Sequence, residues 1–288
     1  MRWTPGGRSA DLEDRRGEGG GGGGGFRLGG GKLGIGGFIV LALLSLIFKK
    51  NFFALVGGGS GDSGAPVANG TPPPTTPEEE KMIQFVSFVL DDVQGTWQKE
   101  FQQQGQTYRN AKLDLFQDNV RSGCGFAETA MGPFYCPVDQ KVYIDLNFYK
   151  ELKDRFGAPG DFAQAYVLAH EVGHHVQHQL GIDDKVRAAQ ERDPNLANEL
   201  SVALELQADC FAGIWGHSTQ QRQILEEGDV DEALNAAAAV GDDRIQKQAT
   251  GEVNPETWTH GSAKDRAAWF RRGFETGNID NCDTFASR

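Results

Sequence analysis

The chain has 288 residues, with 28 Lys and Arg against 40 Asp and Glu, for a formal net charge of -12. Phosphate binding needs a basic face, so this acidic excess excludes nucleic acid as the expected partner. Residues 1–80 are so rich in Gly and Pro that the remaining length holds about one domain.

Residues 1–32 carry a Gly run from Gly19 to Gly25 among scattered charges, which predicts a disordered tail because too little apolar surface is available to offset ordering. Residues 33–48 contain no charged side chain, and Lys49 and Lys50 are followed by further apolar residues. This predicts a single transmembrane anchor over 33–56. At ~1.5 Å per residue the uncharged run spans about 24 Å, slightly short of the ~30 Å hydrocarbon core, and snorkelling lysines could close the gap. A buried soluble helix and a cleavable signal peptide are the competing readings. Arg15, Arg16, Arg27 and Lys32 outnumber Lys49 and Lys50, which favours a cytoplasmic N-terminus and an extracytoplasmic domain in the cell membrane. Residues 57–77 read as a Gly- and Pro-rich linker, and folded sequence is expected over 78–288.

Ile83, Val86, Leu90, Val93, Trp97 and Phe101 recur at helical spacing, predicting an amphipathic helix. Leu113 and Leu115, then Val142, Ile144, Leu146 and Phe148, alternate with a period of two, predicting a small sheet between 112 and 149. Helices are expected over about 161–179, 194–219, 229–248 and 262–276. Helix, then strands, then helices gives an α+β, mainly helical fold with a small β-sheet, preceded by one transmembrane helix.

Within the first of these later helices, His170-Glu171-Val172-Gly173-His174 places two imidazoles four residues apart on one face, where they can share a metal ion. Glu171 stands beside them, able to take a proton from water. The alternative is two hydrogen-bonded surface histidines. The surrounding Phe162, Ala165, Val167, Leu168, Ala169, Val172 and Val176 disfavour it, because ionisable groups in apolar surroundings need a strong partner. A catalytic Zn2+ usually has three protein ligands and an open position. Glu205 and Asp209, four apart in a nearly apolar helix, supply the candidates: Glu205 as third ligand and Asp209 as acceptor from a ligand histidine. His175 and His178 are expected in supporting or surface roles. His260 precedes a helix start at Ser262 and Asp265 and is a candidate oxyanion stabiliser, although it could merely cap or pack. Arg266 could serve the oxyanion or pair with a carboxylate.

The cysteines at 124, 136, 210 and 282 lack a C-x-x-C pair and are compatible with two disulfides, Cys124 with Cys136 and Cys210 with Cys282, or with four buried thiols.

These residues together resemble the putative neutral zinc metallopeptidase family of YpfJ-like bacterial membrane proteins. The resemblance runs through Cys124-Gly125, Gly132-Pro133-Phe134-Tyr135-Cys136, the His170 motif, Glu205-x-x-Ala208-Asp209, Gly241-Asp242-Asp243 and Thr259-His260-Gly261. More loosely, the site is similar to the gluzincin group. That likeness implies Glu171 as base, Glu205 as zinc ligand and an extended substrate on an edge strand, for which 125–131 is the candidate. The expected reaction is hydrolysis of a peptide or protein substrate by a zinc metalloendopeptidase. A non-catalytic zinc scaffold binding envelope proteins and a zinc amidase acting on cell-wall peptides are the rivals.

Overall fold

The computed structural model describes residues 1–17 and 74–286. Helix α1 (Pro77–Gln103) begins where several N-terminal devices coincide. The Thr76 hydroxyl accepts from the Glu79 N–H, the Glu79 carboxylate accepts from the Thr76 N–H, and Pro77 occupies the first turn with Glu78, Glu79 and Glu80. Its six residues expected at helical spacing, from Ile83 to Phe101, are all buried.

A four-stranded sheet runs in the order β1 (Leu12–Asp14), β2 (Lys112–Phe116), β6 (Lys141–Asp145), β5 (Phe134–Cys136). β1 and β6 are parallel to β2, and β5 closes one edge antiparallel to β6. Strands β3 (Asn119–Ser122) and β4 (Gly125–Glu128) form a separate hairpin, joined to β5 by a Cys124–Cys136 disulfide. The period of two does not continue to Phe148 as expected. Asp145 ends β6 and accepts from the Asn147 N–H, and helix α2 (Asn147–Asp154) buries Phe148, Tyr149 and Leu152 instead. Spacing of 1 and 4 fits a helix face, and of the alternation expected from Val142 to Phe148 only Val142 and Ile144 lie in a strand.

The expectation of a disordered tail over 1–32 is corrected for residues 1–17, which are folded onto the domain. Leu12 pairs with Leu113, Trp3 packs edge-on against Phe85, and the Met1 ammonium lies between Asp161 and Asp229. The charges that suggested solvation are partnered: Arg16 with Asp14, Arg8 with Asp14 and Glu80, and Arg15 with the fully buried Asp114. Burial pushes the Asp114 carboxyl up to about 6, with Arg15 opposing the rise. Average composition concealed this segment because the Gly run that dominates it begins only at Gly19.

Helix α3 (Asp161–Gln179) packs among α1, α5 (Ala197–Gln221) and α6 (Asp229–Ala239), with β5 and β6 on another side. Helix α4 (Ile182–Arg192), not expected from the sequence, leads to a 3-10 turn over Pro194–Leu196, so α5 starts three residues later than expected. The helix expected over 229–248 breaks between α6 and α7 (Asp242–Thr250). A Cβ on Gly241 would lie 2.3 Å from the Ala263 nitrogen, so the chain turns here to meet α8 (Ala263–Thr276). Helices α5 and α8 touch backbone to backbone: a Cβ on Gly273 would sit 1.9 Å from the Cys210 oxygen. Cys210 is also disulfide-bonded to Cys282, which ties the C-terminal segment to α5.

Among the described residues no helix is long and apolar enough to cross a membrane. The anchor expected over 33–56 lies outside them, as do residues 18–32 of the expected tail and 57–73 of the expected linker. The pairing of β1 with β2 nevertheless constrains topology, because strands of one sheet occupy one compartment. Residues 12–14 and 113–115 therefore lie on the same side of any membrane. Single cysteines placed at exposed Gly6 and exposed Lys264 should therefore react with a membrane-impermeant maleimide from the same side in intact cells; labelling from opposite sides would contradict the sheet.

Candidate active site

His170 and His174 lie one turn apart on α3, their rings perpendicular with centroids 4.8 Å apart. Helix α5 brings Glu205 across from them. His170 Nε2 is 3.2 Å from Glu205 Oε2, and His174 Nε2 is 3.4 Å from Glu205 Oε1. The two helices can approach this closely because position 173 is Gly: a Cβ there would meet the Ala208 oxygen at 3.0 Å.

The donor set fits a tetrahedral zinc. Bonds of ~2.0–2.1 Å at tetrahedral angles place neighbouring donors about 3.4 Å apart, close to the nitrogen–oxygen separations found here. The electrostatics agree. Burial alone would lower the His170 pKa, but Asp209 and Glu205 outweigh it and hold it at about 10. His174 is likewise raised against burial by Glu205. Burial would raise Glu205, yet the two imidazoles keep it well below the carboxylate range. A buried cluster that draws protons this strongly is suited to a dication in their place.

Asp209 is fully buried and accepts from several donors at once. His170 Nδ1 lies 2.8 Å away, Arg266 Nε and Nη2 donate at 2.8 and 2.9 Å, and the Tyr166 hydroxyl donates as well. Donation from His170 Nδ1 turns Nε2 towards Glu205 as a lone-pair donor. Arg266 thus pairs with a carboxylate, and its Nη1 donates to the Val240 oxygen at 3.3 Å, while the side chain also lines the cleft. Sequence reading left its role open between these two.

His260 also lines the cleft, its side chain 47% exposed. Its Nδ1 is 3.1 Å from Asp242 Oδ1, while Asp242 Oδ2 accepts from the N–H groups of Thr259, His260 and Gly261 at 2.8, 2.6 and 3.0 Å. Asp242 was noted in the sequence only as part of a motif. Its function as the carboxylate that orients His260 needed the break between α6 and α7, which pattern alone did not reveal. Gln177, which accepts from His174 Nδ1 at 2.8 Å, was also missed; its position three residues after His174 was the available signal.

Glu171 is buried to 8% exposure on the same cleft, which has a volume of about 730 Å3. Phe148, Phe156, Val167 and Ile245 give it apolar walls, and β5 contributes Phe134 and Tyr135. The expected substrate strand, 125–131, is corrected here. Gly125–Glu128 is paired with β3, and of that arm only Met131 reaches the cleft, whereas β5 is the sheet edge beside it. His175 faces away and is fully buried, with Nε2 donating to the Arg109 oxygen at 2.7 Å and Nδ1 accepting from the Tyr135 hydroxyl at 2.9 Å. Burial lowers its pKa to about 4, so it stays neutral and pins β5 to α3. His178 pairs with Asp183 at 2.8 Å.

Zinc held by His170 and His174 would require both imidazoles as free bases, and each holds a proton more tightly than an isolated histidine. Acid refills them. The apparent zinc affinity should therefore fall at least about tenfold per pH unit from about pH 8 down to about pH 6, as read by chelator competition. An affinity independent of pH over that window would rule out these two histidines as ligands.

The family model for "Putative neutral zinc metallopeptidase" matches residues 1–285. The Escherichia coli K12 protein YpfJ is 47% identical over 289 residues, covering 99% of each chain. The Mycobacterium tuberculosis H37Rv protein Rv2575 is 47% identical over 191 residues, which is 62% of this chain and 64% of that protein. Both relatives bear the description "uncharacterized protein". No solved structure matches. With its matched sequence, its cleft and its buried histidine–carboxylate cluster, the chain belongs to the putative neutral zinc metallopeptidase family, whose cofactor is Zn2+.

Proposed function

We propose that this chain is a zinc metalloendopeptidase in which His170, His174 and Glu205 hold the metal and Glu171 is the general base. One observation carries the reading: both Nε2 atoms lie at ligand-sharing distance from the two oxygens of a single half-buried carboxylate, in a cleft that Glu171 also lines. Zinc supplies Lewis acidity when bound, making water nucleophilic near neutral pH and polarising the scissile carbonyl.

The side chains do the rest. Glu171 takes the proton of the attacking water and returns it to the leaving amine. His260, oriented by Asp242, donates to the oxygen on which negative charge develops; Arg266 is committed to Asp209 and does not compete for this function. An extended substrate pairs with the free edge of β5, which keeps its backbone straight across the metal and lets chain continue in both directions, as an endopeptidase requires. Two disulfides favour an oxidising compartment, and the uncharged run 33–48 supports attachment to a membrane.

The test is to incubate the full chain with a diverse peptide library and, separately, with purified cell wall. Glu171→Gln should retain stoichiometric zinc by elemental analysis while cleavage falls by at least about 1000-fold; undiminished cleavage would sink the mechanism. Cleavage of cell wall alone would replace the reading with an amidase. His260→Ala should keep its zinc and lose about 100-fold in kcat, a loss characteristic of one oxyanion donor, with KM little changed. An unaltered kcat would leave His260 with a packing role only.

A further inference from the structure

The two ligand histidines are oriented by different chemistry. His170 donates to an anionic carboxylate, whereas His174 Nδ1 meets the neutral amide of Gln177, a side chain with no solvent exposure. A carboxylate could accept from His174 equally well. Only an amide can also donate, and Gln177 Nε2 does so twice, to the Leu204 oxygen at 2.7 Å and to Gln207 Oε1 at 3.1 Å. Leu204 immediately precedes Glu205, so one side chain touches the supports of two of the three ligands.

The polarity of this chain of amides is fixed from its far end. Gln207 is buried and its Nε2 donates to the Cys282 oxygen at 3.0 Å. A backbone carbonyl can only accept, so the Gln207 nitrogen must face Cys282 and its oxygen must face Gln177. Gln177 must then present its nitrogen to Gln207 and Leu204 and its oxygen to His174. The imidazole consequently carries its proton on Nδ1 and leaves Nε2 with a lone pair for the metal. Cys282 itself is held by its disulfide to Cys210, one turn beyond Gln207 on α5, and Thr284 hooks the same segment to the Ala203 oxygen at 2.6 Å.

We propose that the Cys210–Cys282 disulfide sets the zinc affinity of the site, acting through Gln207 and Gln177 as positioning residues that lock the His174 tautomer. The site then holds zinc firmly only where that disulfide has formed. This rests on the reading of His174 as a ligand, but not on which reaction the site performs.

The experiment measures zinc affinity of the full chain by chelator competition, with the absorption spectrum of the cobalt-substituted protein as a report on ligand geometry and thermal unfolding of the metal-free forms as a control. Outer partners of ligand histidines commonly contribute 10- to 100-fold in metal affinity. Gln177→Leu, Gln207→Leu and the double change Cys210→Ser with Cys282→Ser should each weaken zinc by about that factor and shift the cobalt spectrum. Adding Gln207→Leu to the disulfide-free protein should weaken zinc little further, because both act along one path. Wild-type affinity in a folded disulfide-free protein, or losses that multiply in the combination, would overturn the proposal. If the disulfide-free protein fails to fold, Gln207→Leu with the disulfide intact decides, since unchanged affinity there breaks the path. His174→Ala separates the two readings: undiminished zinc affinity in that variant removes His174 as a ligand, whereas a loss there with none in Gln207→Leu removes only the path.

Discussion

Everything at the site depends on how closely α3 and α5 pass each other. Two imidazoles on one helix and a carboxylate on the next can meet a single ion only if the helix backbones nearly touch, and Gly173 opposite Ala208 allows this. The motif Gly is therefore a packing residue whose effect is chemical. The same device recurs between α5 and α8 at Gly213 and Gly273, which brings Arg266 within reach of Asp209. Small residues at the two contacts set the distances; charged residues then use them.

Burying so many ionisable groups is costly unless each is matched. Here the matching is layered outward from His170 and His174. His170 rests on Asp209, Asp209 on Arg266 and Tyr166, and Arg266 on the Val240 carbonyl where α6 ends. His174 rests on amides instead. The contrast makes physical sense: the carboxylates of Glu171, Glu205 and Asp209 already match the three positive charges of a dication and Arg266, and one more behind His174 would leave an excess of negative charge.

Much of this was legible in the sequence, for reasons specific to each element. The His170 motif and the Glu205–Asp209 pair could be read because helical periodicity fixes which side chains share a face, and apolar neighbours made buried charge conspicuous. The α1 face was equally plain. Asp242 was not, since its relation to His260 depends on two loops converging across the break at Gly241. Strand β4 was mistaken for the cleft edge because strand pairing is non-local and hairpin partners are not encoded in spacing. The folded segment 1–17 was hidden by its glycine-rich continuation, and its charges looked solvated until their partners, scattered from Glu80 to Asp114, were in place.

The pairing of Leu12 with Leu113 also has a consequence in time. β1 leaves the ribosome before its partner and has no strand to join until β2 emerges about a hundred residues later, an interval of about 5–20 s at typical rates of ~5–20 residues per second. Until then Leu12 lacks the strand partner Leu113. Closing so long a loop costs more chain entropy than closing the shorter one between β2 and β6. The segment that carries β1 is thus made well before the strand it joins.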